Sequence, residues 1–108
     1  MTSFDDREKG FERKFALDQD QEFRAQARRN RMLGEWAAGL MKLSEEETEA
    51  YAKDVIRADF EEAGDEDVIR KLLGDLTSAG VDMDEAKIRD TLRHKTVDAR
   101  RQLIESLE

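Results

Sequence analysis

The chain has 108 residues, 43% of them charged, with no proline, no cysteine and a net charge of -8. That length makes one domain with a modest core, and the lack of cysteine excludes a disulfide framework, thiol catalysis and a zinc–thiolate site. The opening MTSFDDREKG carries no apolar run and no later stretch is apolar enough to span a bilayer, so a cytoplasmic protein without direct membrane contact is expected.

The charge is unevenly placed. Residues 1–18 carry five acids and four bases, residues 19–43 three acids against five bases, and residues 44–108 nineteen acids against ten bases. An acidic body argues against nucleic acid as the main partner, because phosphate binding needs a basic surface. Many charges, no proline and apolar positions at helical spacing together predict an all-α fold.

Ser3 is placed to cap a short N-terminal helix, with Asp5, Asp6 and Glu8 near its positive dipole end. Phe4, Phe11 and Phe15, spaced by seven and four, fall on one face of such a helix. Burying a phenylalanine gains about 1.5–3 kcal/mol, whereas ordering some fifteen residues costs on the order of 15–30 kcal/mol in backbone entropy. Residues 1–18 are therefore expected to be mobile in the free protein. Three readings of their role stay open on the residues alone: a helix that docks on another protein, a helix packed back on its own domain, and a plain tail. The polar stretch from Leu17 to Gln21 suits either a hinge or a continuation.

The next element, predicted over 20–42, has a stripe of Phe23, Ala27, Asn30, Gly34, Ala37 and Met41, widened by Leu33, Trp36 and Leu40. Later helices should pack around its Leu33–Met41 end and leave the Arg24–Arg31 end more exposed. That end carries Arg24, Arg28, Arg29 and Arg31, of which Arg24, Arg28 and Arg31 share a face. Such a face serves either phosphate binding or pairing with acids, and the acidic C-terminal half favours the second.

Ser44 and Glu47 form a capping box that starts a helix over 45–62, with Tyr51, Val55 and Ala58 inward and Ala52 and Ile56 beside them. Asp65 is placed to cap a third helix over 66–78, whose Val68, Ile69, Leu72, Leu73 and Leu76 are spaced for burial and which stops at Gly80. Asp82 with Glu85 is expected to cap a fourth over 83–106, with Ile88, Leu92, Ala99, Leu103 and Leu107 inward and Val97 and Ile104 off the stripe. Four helices on short connections predict a four-helix bundle over 19–108.

Signatures of catalysis are missing. His94, the single histidine, lies between Arg93 and Lys95 with no nucleophile pattern nearby. Gly64, Gly74 and Gly80 form no phosphate loop, and the acids around Asp65 and Asp82 lack calcium-loop spacing. No enzyme activity, cofactor or metal is expected.

The blocks Phe4-Asp5-Asp6-Arg7-Glu8, Phe11-Glu12-Arg13-Lys14-Phe15-Ala16 and Ala27-Arg28-Arg29-Asn30-Arg31-Met32-Leu33-Gly34 with Trp36-Ala37-Ala38 resemble the zeta-subunit family of bacterial F-type ATP synthases. Tyr51-Ala52-Lys53, Asp59-Phe60-Glu61-Glu62 and Gly64-Asp65-Glu66-Asp67-Val68 extend the likeness along nearly the whole chain. It implies a four-helix bundle whose mobile N-terminal segment forms a helix on binding and inhibits ATP hydrolysis. The implied site is a catalytic alpha–beta interface of the ATP synthase, reaching its gamma subunit. Phe4, Phe11 and Phe15 would then lie in the inhibitory helix, with Asp5, Arg7, Glu12, Arg13 and Lys14 as polar contacts. Arg24, Arg28 and Arg31 would offer a secondary contact. The free protein would be monomeric, and peripheral to the inner membrane when bound. Gly10 stands where alanine is usual in the family, Leu17 where histidine is common and Ala63 where proline is usual. The readings from other classes are a nucleic-acid-binding regulator using Arg24–Arg31 and a small adaptor with an unrelated partner.

Overall fold

The computed structural model describes residues 17–59 and 64–107. The expected N-terminal helix, and with it Phe4 to Phe15, lies outside the described residues, as do Phe60 and residues 61–63. The described residues form four α-helices: α1 (Gln19–Leu40), α2 (Glu45–Ala58), α3 (Glu66–Ser78) and α4 (Glu85–Leu107).

Three of the four starts carry a side-chain cap, and two of the four differ from expectation. Asp18 sits in extended backbone and accepts from the Gln21 N–H at 2.8 Å, while the Gln21 side chain accepts from the Asp18 N–H at 3.0 Å. This capping box resolves the polar stretch from Leu17 to Gln21 as the start of α1, not a hinge. The box expected at Ser44 and Glu47 makes both of its bonds. At α4 the Lys87 N–H goes to the carboxylate of Asp84 at 2.7 Å, so Asp84 is the cap and not Asp82. Asp65 precedes α3 but makes no side-chain cap bond. Its carboxylate is bound to Arg29 instead.

The ends of α1 and α3 share one device. The Leu43 N–H reaches Ala38 O and the Lys42 N–H reaches Gly39 O; Val81 and Gly80 repeat this toward Leu76 O and Thr77 O. Both are Schellman closures, which put the residue after the cap in the left-handed region. Gly80 adopts it with φ 80°, and Lys42 does so with φ 60° despite its Cβ.

The core gathers Leu33 and Ala37 of α1, Val55 of α2, Val68, Ile69, Leu72 and Leu76 of α3, and Ile88 and Leu92 of α4; Trp36 packs against it while partly exposed. α1 touches all three other helices. Gly34 meets Ala52 where Gln26 meets Asp59 farther along, so α1 and α2 run antiparallel. A Cβ built on Gly34 would stand 2.7 Å from the Ala52 Cα, so glycine is what allows the two backbones to approach.

The N-terminal half of α1, expected to be the more exposed end, is covered on one side and open on the other, where Phe23, Arg24 and Arg28 are exposed. Ala25, Arg29 and Asn30 are buried there, together with Ala99, Leu103 and Ile104 of α4. Ile104, read as off the inner stripe, belongs to it, whereas Leu107 is exposed. Phe23 and Leu40, assigned to the inner stripe of α1, are 54% and 40% exposed. The three neighbouring helices thus cover the middle of this stripe and leave its two ends, at Phe23 and Leu40, more open.

Candidate partner-binding surface

The arginine cluster of α1 divides by depth. Arg24 is largely exposed and pairs with Asp20 one turn earlier at 3.3 Å. Arg31 reaches across to α2 and binds both oxygens of Glu49 at 3.0 and 2.8 Å. Arg28 has only a long contact, 3.4 Å, to the side-chain oxygen of Gln102 on α4. Thus the three arginines expected on one face differ in how far their charge is neutralised, and Arg28 has no carboxylate partner among the described residues.

Arg29 points the other way and is 5% exposed. Its Nη1 lies 2.9 Å from Asp65 and its Nη2 3.7 Å from Asp59. Its Nε and Nη2 also donate to Asn30 Oδ1, at 3.0 and 2.9 Å, with Asn30 itself buried. A charge this deep is tolerated only when paired and hydrogen-bonded. The network ties α1 to the end of α2 and the start of α3. Sequence reasoning missed it because Arg29 looks like its neighbours in the cluster; its place one position off their shared face was the available signal.

Beside this network α1 and α2 leave a cleft of about 150 Å³ lined by Phe23, Gln26, Ala27, Asn30, Ile56 and Asp59. Gln26 Nε2 donates to Asp59 Oδ2 at 2.6 Å, while the buried Asp59 Oδ1 has no hydrogen-bond partner among the described residues. Arg100 of α4 pairs with Glu22 of α1.

Elsewhere the polar contacts join helices. Arg89 of α4 holds both oxygens of Glu66 at 3.0 and 2.9 Å, and its hydrogen bond keeps Glu66 below the ordinary carboxylate range. Glu47 is held low as well, by the Ser44 N–H first and its hydroxyl second. Tyr51 of α2 donates to Asp75 of α3 at 2.8 Å. Burial first, and that acceptor second, push its hydroxyl well above the ordinary tyrosine value. The Lys71 ammonium lies 5.1 Å from the centre of the same ring. His94 is exposed, 3.8 Å from Asp90.

Among the described residues no group of three histidines or acids is placed to hold a metal ion, and no helix is long and apolar enough to cross a membrane. The fold and its polar contacts define a small all-helical bundle whose helices are joined by ion pairs across their seams. The chain belongs to the ATPase inhibitor subunit zeta family, whose model matches residues 1–102. It is similar to a chain solved by solution NMR, at 44% identity and a TM-score of 0.70, over 79% of this chain and 96% of that one. No curated protein matches it.

Proposed function

We propose that this protein inhibits ATP hydrolysis by the F-type ATP synthase, with residues 1–18 as the inhibitory segment and the bundle as its anchor. The observation that carries this reading is that the family match begins at residue 1 and runs to 102, taking in the three-phenylalanine segment together with the bundle. In this reading the segment folds into a helix at a catalytic alpha–beta interface near the gamma subunit. Ordering is offset by burial across the whole contact, as in other coupled folding and binding. Phe4, Phe11 and Phe15 fill the cleft, while Asp5, Arg7, Glu12, Arg13 and Lys14 pair along its rim. A wedge lodged there blocks the opening that each hydrolytic cycle requires.

The bundle then stays outside as a bulky stop, in the cytoplasm at the membrane-peripheral part of the enzyme. The Asp18 capping box supports this division, because extended backbone at Asp18 sets the start of α1 apart from whatever precedes it. Of the secondary contacts, Arg28 is better placed than Arg31, whose charge is already taken by Glu49. The test is the double substitution Phe11→Ala with Phe15→Ala. It should abolish inhibition of ATP hydrolysis while the melting temperature of the bundle stays unchanged. A variant that still inhibits fully, or one whose bundle melts far lower, rejects the assignment of these rings to the partner.

A further inference from the structure

Where α1 begins is decided by two side chains and not by the preferences of the residues around them. Between Gly10 and Gly34 the sequence holds no glycine or proline, and Glu12 to Leu17 are mostly good helix formers. Propensity alone would carry α1 past Gln19 toward Gly10. The stop comes from Asp18 in extended backbone, its carboxylate on the Gln21 N–H and the Gln21 side chain returned to the Asp18 N–H. Two further features localise the break. Glu22 is held by Arg100 of α4, which pins the first turn of α1 to the bundle. A hydrophobic staple, which fixes the angle at which a chain enters its helix, needs an apolar residue at the fourth helical position. Glu22 occupies that position, and its carboxylate is already taken. The box therefore sets where α1 starts and leaves the direction of the preceding chain unset.

We propose that Asp18 and Gln21 are positioning residues for inhibition: their box is a pivot that lets the inhibitory segment and the bundle take separate orientations on the enzyme. The inference rests on the inhibitor reading above and adds the joint between its two parts. Without the box, α1 would continue as one rod from residue 11 to Leu40, about 45 Å long. Such a rod holds the bundle at a single angle to the wedge. Two linked surfaces lose their combined affinity when geometry forbids them to engage together. A pivot made of two side chains can also be removed without touching either the phenylalanines or the core.

The experiment compares the full chain with three variants: Asp18→Ala with Gln21→Ala; Gln21→Glu, which keeps the box; and the double variant with two glycines inserted after Leu17. In the free proteins, the NMR Cα shifts of residues 12–17 should turn helical in the double variant alone. Half-inhibition of ATP hydrolysis by the F-type ATP synthase should then need at least about tenfold more of the double variant. Gln21→Glu should inhibit like the parent chain, and the inserted glycines should restore inhibition although the box stays broken. Unchanged shifts in the double variant would overturn the pivot. Helical shifts with parental inhibition, or no rescue by the glycines, would overturn its role in inhibition. A parent chain that does not inhibit rejects the inhibitor reading and this positioning role with it, while the shifts still show whether the box is what stops α1.

Discussion

At the scale of single residues, Arg29 carries the largest energetic consequence. Its guanidinium is buried between Asp65 and Asp59, so truncating it strands carboxylates in a poor solvent for charge. Arg29→Ala should destabilise the protein by about 3 kcal/mol, the low end for a broken buried pair because Asp65 is partly exposed. Arg24→Ala, at an exposed pair within one helix, should cost no more than about 0.5 kcal/mol. Urea unfolding of the two variants separates the cases, and equal midpoints would show that depth does not matter here. Acid dependence also belongs to this scale. Glu47 and Glu66 both titrate below their ordinary value of 4.5. A depressed carboxylate contributes stability that is present above that value and lost as pH falls through the lowered one. The unfolding midpoint should therefore drop as the pH falls below 4.5, and less steeply in Glu66→Gln. A variant with the full acid slope would remove the Glu66–Arg89 pair as a cause.

At the scale of elements, the tightest constraint is the α1–α2 crossing. Alanine at position 34 gains about 1 kcal/mol in helix propensity. However, its Cβ would sit 2.7 Å from a backbone atom of Ala52, and overpacking of that kind costs about 1–3 kcal/mol. Since a backbone atom cannot rotate away, Gly34→Ala should be destabilising by about 1 kcal/mol net. A rise in the denaturation midpoint would mean that the helices separate freely. The helices themselves were legible from periodicity, and α3 was expected over the same residues it occupies. The Ser44 box was legible because its residue pattern is specific. Asp18 was not, since the same polar run suits a cap, a hinge or a continuing helix. At α4, Asp82 and Asp84 offer the same chemistry two residues apart, and only the fold shows which carboxylate meets an N–H. The exposure of Phe23 was equally hidden, because a stripe shows which residues share a face but not how far a neighbour extends along it.

At the scale of the whole molecule, α1 is the helix on which the others assemble, contacting each of them. Its cap at Asp18 fixes where the bundle begins, and the Arg29 network fixes how the ends of α2 and α3 meet it. The described bundle is thus held by contacts among its own residues. The most direct measurement is the rate of ATP hydrolysis by F-type ATP synthase from a bacterium carrying this subunit, with the full chain or with a chain lacking residues 1–16 added in excess. This account predicts that the full chain suppresses hydrolysis and that the shortened chain, which keeps Asp18 and an intact bundle by circular dichroism, leaves the rate unchanged. Equal suppression by both chains would place the inhibitory surface on the bundle and contradict the account.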